Sequence, residues 1–165
     1  MLAKGKVVFS ALGTIAVIIG VIIAIMPEKE KEFSAGGITI TLTTAFKEEP
    51  IPGYVLSCSS AQAAVSAYKE TFNSIEKAGD SSDITLEEYA KFLMEMAEIR
   101  STVRELEGFT TFEFTEIDNG DSFTYLVVVL KSHDAFWFIE YLCETSNISR
   151  LRPQFLEWSK TIRFN

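Results

Sequence analysis

From Val7 to Met26 the chain reads VVFSALGTIAVIIGVIIAIM, with Ser10 and Thr14 as its only polar residues and no charge. As a helix this 20-residue run spans about 30 Å, the thickness of a hydrocarbon core. A helix of a soluble domain would keep one polar face, and this run has none. The pattern predicts a transmembrane anchor over 7–26. Lys4 and Lys6 precede it, and residues of mixed sign, Glu28 to Glu32, follow it. The positive-inside rule then puts a stub, 1–6, in the cytoplasm and the rest of the chain outside. A cleaved signal peptide is the competing reading. It normally has a shorter apolar core and a small-x-small cleavage site, against which Ala24-Ile25-Met26 is a poor match. Cleavage of the segment stays open.

Downstream the periodicity changes. Residues 27–37 (PEKEKEFSAGG) read as a charged stalk ending in flexible glycines. Ile38 to Leu42 alternates strictly, as a half-buried strand does. Thr43 to Phe46 suits a helical turn, and Pro50, Pro52 and Gly53 break the chain. Tyr54–Ser59 and Ala64–Thr71 read as further strands, and Lys77–Asp83 as a loop. Thr85 with Glu88 three residues on makes a capping box. The helix that follows has Leu86, Tyr89, Ala90, Leu93, Met96 and Ala97 on its apolar face and Glu87, Glu88, Lys91, Glu95 and Glu98 on the other.

Phe109 to Ile117 alternates again, and Asn119-Gly120 is the strongest hairpin signal in the chain. Phe123–Lys131 and Ala135–Glu144 are apolar on both sides, as central strands are, with a tight turn at Lys131–Asp134. These three strands form an antiparallel meander. A closing helix is capped near Ser149, tolerates Pro153 in its first turn, and buries Leu151, Phe155, Trp158 and Ile162. Thr161–Asn165 leaves it as an extended tail. The predicted class is α+β: an antiparallel β-sheet with helices packed on it, over an extracytoplasmic domain 38–165.

Charge narrows the partners. The chain carries 15 Lys+Arg against 23 Asp+Glu, and every acid lies after the apolar run. So acidic a body is a poor match for phosphate backbones, and no nucleic-acid partner is expected. Two Cys and one His exclude most zinc modules, which need four such ligands. His133 beside Asp134 is the one pair that suggests hydrolytic chemistry, but a triad also needs a placed nucleophile and an oxyanion hole. Asp118, Asn119 and Asp121, and likewise Asp80 and Asp83, have the oxygen ligands a hard cation wants without the spacing of a calcium loop. No catalytic, cofactor or metal residue is expected. Cys58 and Cys143 lie in apolar strands, either as a disulfide outside the cell or as buried thiols. Asn147-Ile148-Ser149 is a glycosylation sequon. Phe33, Phe72 and Phe109 fall at element ends and are candidates for an apolar contact patch.

Four stretches together resemble the PsbP-like superfamily: Ile38-Thr39-Ile40-Thr41-Leu42 with Phe46, then Tyr54-Val55-Leu56, the helix start Ile84-Thr85-Leu86-Glu87-Glu88-Tyr89-Ala90, and the ending Phe155-Leu156-Glu157-Trp158-Ser159-Lys160-Thr161-Ile162-Arg163-Phe164. That superfamily includes an extrinsic photosystem II protein, a Ran-binding nuclear import factor and many bacterial envelope proteins. The resemblance covers about 37–165 and implies a sandwich-like α+β fold and a bacterial, membrane-anchored envelope member. Its members act mainly as non-catalytic binding or accessory proteins, so the expected role is recruiting or stabilising a protein partner at the cell envelope. The alternatives are a carrier of a small apolar ligand, held in a groove lined by Leu93 and Met96, and a hydrolase around His133.

Overall fold

The computed structural model describes residues 29–165; the expected stub 1–6 and anchor 7–26 lie outside the described residues. The element with the fewest alternatives is β9 (Ala135–Glu144), because almost every side chain on both of its faces is apolar. A strand of this kind must be covered twice. Trp137, Ile139, Tyr141 and Cys143 point to one side, Phe136 and Phe138 to the other, and all are buried. β9 therefore sits at the centre of an antiparallel sheet. Its members are β3 (Lys47–Glu48), β4 (Leu56–Ser59), β5 (Ala64–Thr71), β6 (Arg104–Leu106), β7 (Phe109–Asp118) and β8 (Asp121–Lys131), in the order β3-β4-β5-β9-β8-β7-β6.

One face of this sheet carries a second sheet, β1 (Glu30–Ala35), β2 (Ile38–Thr43) and β10 (Arg163–Phe164), together with helix α3 (Ile148–Lys160). Ile38, Ile40 and Leu42 of β2 and Leu151, Phe155 and Trp158 of α3 pack there against Trp137, Ile139 and Tyr141. The opposite face carries α1 (Phe72–Ala78) and α2 (Leu86–Met96), whose Ile75, Tyr89, Ala90, Leu93 and Met94 pack on Phe112, Val127, Val129, Phe136 and Phe138. The strands and helices thus form two cores separated by one sheet, the α+β arrangement expected. Among the described residues no helix is long and apolar enough to cross a membrane.

The capping box at α2 is complete: Glu88 N–H donates to Thr85 Oγ1 and Thr85 N–H to Glu88 Oε2. Three hairpins close on two-residue turns with positive φ at both positions: Gly36-Gly37, Glu107-Gly108 and Asn119-Gly120. Their twist matches that of the paired strands. Asn119-Gly120 is the hairpin that the pattern predicts.

Several expectations are corrected. The stalk 27–37 is, over Glu30–Ala35, a strand paired residue for residue with β2, and Phe33 at its centre is buried. The two glycines expected to be flexible form its tight turn. Lys77–Asp83 does not begin as a loop, since Lys77 and Ala78 end α1, a helix capped by Thr71 Oγ1 and stopped by Gly79 in the left-handed region. Tyr54 and Val55 precede the strand, which starts at Leu56. Thr43 ends β2, and the residues after it make a turn closed by Phe46 N–H donating to Thr43 O, with no helix. Of the α2 methionines, Met94 is the buried one, and Met96 is 38% exposed. The helix ends at Met96, so the next turn of its apolar face does not exist. α3 starts at Ile148 with no side-chain cap, and Pro153 lies in its second turn. The tail beyond it is extended and adds β10 to the small sheet.

Two backbone sites expose the energetics. A Cβ on Gly36 would stand 2.7 Å from Val55 Cβ, so Gly36→Ala should lower stability by about 1–3 kcal/mol through overpacking. Glu98 follows α2 at φ 56 and donates its N–H to Glu95 O, while Ile99 N–H reaches Met94 O. This pair of bonds wants glycine at the left-handed position. Glu98→Gly should therefore raise stability by roughly 0.5–1 kcal/mol. Urea midpoints at unchanged slope check both changes.

Candidate functional site

Register places side chains in rows across the helix-side face of the large sheet. Tyr68, Phe138 and Val129 share one row; Ser66, Glu140, Val127 and Phe112 the next; Ala64, Leu142, Tyr125 and Phe114 the one after. Phe123 and Glu116 lie one row further on. Helices α1 and α2 cover the rows from Phe136 as far as Val127 and Phe112. Val127, Val129, Phe112 and Phe138 are buried, whereas Tyr125, Phe114, Phe123 and Glu116 are only half-buried. The lower part of this face is thus an aromatic surface without a helix on it.

Glu140 sits where cover ends. It is the one acid between Ala135 and Leu142, in a strand otherwise apolar on both faces. Tyr54, delivered by the Pro50–Gly53 loop, donates its hydroxyl to Glu140 Oε2 at 2.7 Å. Its ring stands edge-on to Tyr68 at 6.3 Å, and Tyr68 stacks on Phe138 at 4.8 Å. Phe114 and Tyr125 stack in parallel at 4.6 Å. Burial pushes the Glu140 carboxyl from its ordinary 4.5 up to about 7; the Tyr54 hydrogen bond pulls the other way and the Glu116 carboxylate adds to the rise. Burial also raises the Tyr54 and Tyr125 hydroxyls, helped by Glu140 at the first and by Glu116 and Glu140 at the second. Both phenols stay protonated donors at physiological pH. Ser57 shares a row with Ser66 and Glu140, and its buried Oγ has no hydrogen-bond partner among the described residues. Below Leu142 a cavity of ≈ 170 Å³ opens between Phe123, the β4–β5 turn and Arg150. Arg150 is held there by Gln62 Oε1 at 3.1 Å and Asn147 Oδ1 at 3.3 Å.

The residues singled out from sequence are scattered. His133 stands at the tip of the β8–β9 turn, 83% exposed, with Nδ1 3.8 Å from Asp134 Oδ1. Asp134 is engaged by Lys69 Nζ at 2.7 Å and Ser132 Oγ at 2.8 Å, and these bonds, Lys69's first, hold its carboxyl below the usual range. Ser132 also accepts from Trp137 Nε1. These bonds close a turn and pair no serine with the imidazole, so the hydrolase reading has no constellation at His133. The groove expected beside Leu93 and Met96 is filled by Tyr89, which stacks on Phe136 at 4.3 Å, while Met96 faces outward. Among the described residues no group of three or more His, Cys, Asp or Glu side chains is disposed to hold a metal. Cys58 and Cys143 are both buried free thiols, with burial raising them to about 12 and about 11. Phe33 is core, and Phe72 and Phe109 pack at core margins, so they form no contact patch. Glu140 was not singled out; its signal was a lone acid in the middle of a two-sided apolar strand.

No protein-family model and no curated protein sequence matches the chain. Solved structures do. The solution structure of cyanobacterial PsbP (CyanoP) from Synechocystis sp. PCC 6803 matches over 88% of this chain and 98% of that one, at 11% identity and a TM-score of 0.53. A mutant of protein Mog1 matches over 84% and 96%, at 12% identity and a TM-score of 0.56. A protein from Bacteroides thetaiotaomicron matches over 85% of this chain and 49% of its own, at 9% identity and 0.50. At such identities the likeness concerns the fold alone, and the fold is PsbP-like, as the four sequence stretches imply.

Glu140 fixes a pH dependence. A carboxyl raised on folding binds its proton more tightly in the native state, so the stability it contributes is complete below about pH 4.5, falls as pH rises to about 7, and is level above. Glu140→Gln keeps the shape and removes this fall. The variant should gain on the order of 2 kcal/mol relative to the parent between pH 5 and pH 8, measured by chemical denaturation at both values. Parallel curves for parent and variant would refute the assignment.

Proposed function

We propose that the chain is a non-catalytic accessory domain held at the outer face of a membrane by residues 7–26, where it recruits or stabilises a protein partner. The observation that carries this reading is the PsbP-like fold, which spans nearly the whole length of two of its neighbours and bears an uncovered aromatic face beside Glu140. A soluble domain seldom leaves grouped aromatic rings accessible without a contact to make there.

The apolar run supplies the membrane address and the two lysines before it the orientation. The tether is shorter than a stalk. Strand β1 begins at Glu30, and only Pro27 to Lys29 separate it from the end of the apolar run. Three extended residues reach about 10 Å, so the domain is held against the headgroups and meets partners that lie in or on the same membrane. The raised thiols of Cys58 and Cys143 stay protonated at physiological pH, so neither acts as a nucleophile in this role.

The address is tested by fractionation. The full-length chain is expected to sediment with membranes and resist alkaline carbonate, and to be cut by protease added outside spheroplasts. A form beginning at Lys29 is expected in the soluble fraction. Release of the intact chain by carbonate, or protection of the domain from external protease, would overturn the anchored, extracytoplasmic reading.

A further inference from the structure

We infer that the uncovered half of the helix-side sheet face takes a basic side chain of a polypeptide partner, an arginine above all, seated among Tyr54, Tyr125 and Phe114 with Glu140 and Glu116 as its counter-charges. This names the partner chemistry for the accessory reading above and rests on it.

Four observations carry the assignment. The first is position: the helices end at the row of Val127 and Phe112, so Tyr125 and Phe114 in the following row are reachable from outside. The second is ring geometry. Phe114 and Tyr125 stack in parallel, 4.6 Å apart, and both are half-buried, so the sides of the rings turned away from one another are of the kind a guanidinium packs on. The third is charge. Glu140 accepts one tyrosine hydroxyl, and the Glu116 carboxylate adds a like charge that acts on it. The cation at the covered end of this face, Lys131, lies over the Phe136 ring, and Lys69, on the opposite face with Trp137, is bound by Asp134. Two acids beside apolar rings, without a cation of their own, are complementary to a cation brought by a partner. The fourth is Ser57, whose buried Oγ in the Glu140 row accepts from nothing among the described residues.

The same observations disfavour other occupants. The face is an open sheet surface, unlike the concave site of a small ligand. A second copy would bring a net-negative surface to a negative one, since the chain carries −8 overall. Nucleic acid and anionic lipid are repelled for the same reason. Arginine fits best because it joins a stacking plane to a fork of donors, and Arg and Tyr dominate the strong positions of protein interfaces.

The test uses full-length protein in detergent micelles and two probes, N-acetyl-arginine amide and its neutral isostere N-acetyl-citrulline amide, followed by amide NMR. The arginine probe should shift Tyr54, Tyr125 and Glu140 saturably, and the citrulline probe should not. Glu140→Gln should weaken the arginine probe by about tenfold, whereas Glu87→Gln/Glu95→Gln, which removes two charges from the outer face of α2, should leave it unchanged. A well-dispersed spectrum certifies that each variant is folded. Equal shifts by both probes, shifts centred elsewhere, or equal weakening by the α2 variant would overturn the site. Photo-cross-linkers at Phe123 and at Gln154, on the exposed side of α3, separate this inference from its premise. A partner trapped from Phe123 and lost with Glu140→Gln supports both. A partner trapped only from Gln154 overturns the site and leaves the accessory role standing.

Discussion

Everything in this domain is arranged around the need of one strand to be covered twice. β9 places Trp137, Ile139 and Tyr141 on one side and Phe136 and Phe138 on the other, all buried. At about 25 cal/mol per Å² of apolar surface, leaving either side wet would forfeit several kcal/mol. Two separate covers are therefore required. The first is the small sheet with α3, locked by Tyr141 OH and Ser159 Oγ at 2.8 Å inside the core. The second is the α1–α2 pair, where Tyr89 stacks on Phe136 and turns its hydroxyl to Glu70 at 2.7 Å. A bidentate ion pair from Arg152 of α3 to Glu113 of β7 clamps the first cover from the rim.

How much of this was legible follows from how local each signal is. The capping box at Thr85, the Asn119-Gly120 turn and the two-sided apolar runs of β8 and β9 are written within a few residues, and each formed where it was read. What failed depended on partners distant in sequence. In β1 the charged residues Glu30, Lys31 and Glu32 are exposed, and Phe33 is the one fully buried side chain, with Ala35 packed beside it. Such a segment reads as a linker until β2 is known to lie beside it. The two-residue strand β10 is comparable, since its pairing with Ile38 and Thr39 spans the whole domain. The short helix α1 has a single buried residue, Ile75, too little to create a period.

The candidate site was missed for a related reason. Polar residues cluster at His133-Asp134 and in the acidic turns, and those residues are the ordinary furniture of turns. Glu140 gave the opposite signal, one acid where the pattern demands apolar side chains. An isolated carboxylate in a central strand is costly unless it is hydrogen-bonded or neutralised, and here one tyrosine supplies a single bond. The cost is retained in the native state, at the border of the helical cover, where a residue from outside can reach it.

In the proposed function the short tether and the uncovered face constrain one another. On the proposed reading, a domain joined to its bilayer anchor by three residues would have little freedom to turn, so a partner would have to come to it in a restricted set of orientations. Such tethering raises the local concentration of any partner in the same membrane, and a weak contact then suffices. A single basic side chain on a tyrosine surface is a contact of that strength, since exposed cation–π pairs contribute about 0.5–1 kcal/mol and partly desolvated ones about 2. So open a site would hold a free arginine amide only at high concentration, but would be adequate for a polypeptide already confined beside it. Within this geometry Tyr89 and Leu93 fill, in covering β9, the space that a carrier's groove under α2 would need.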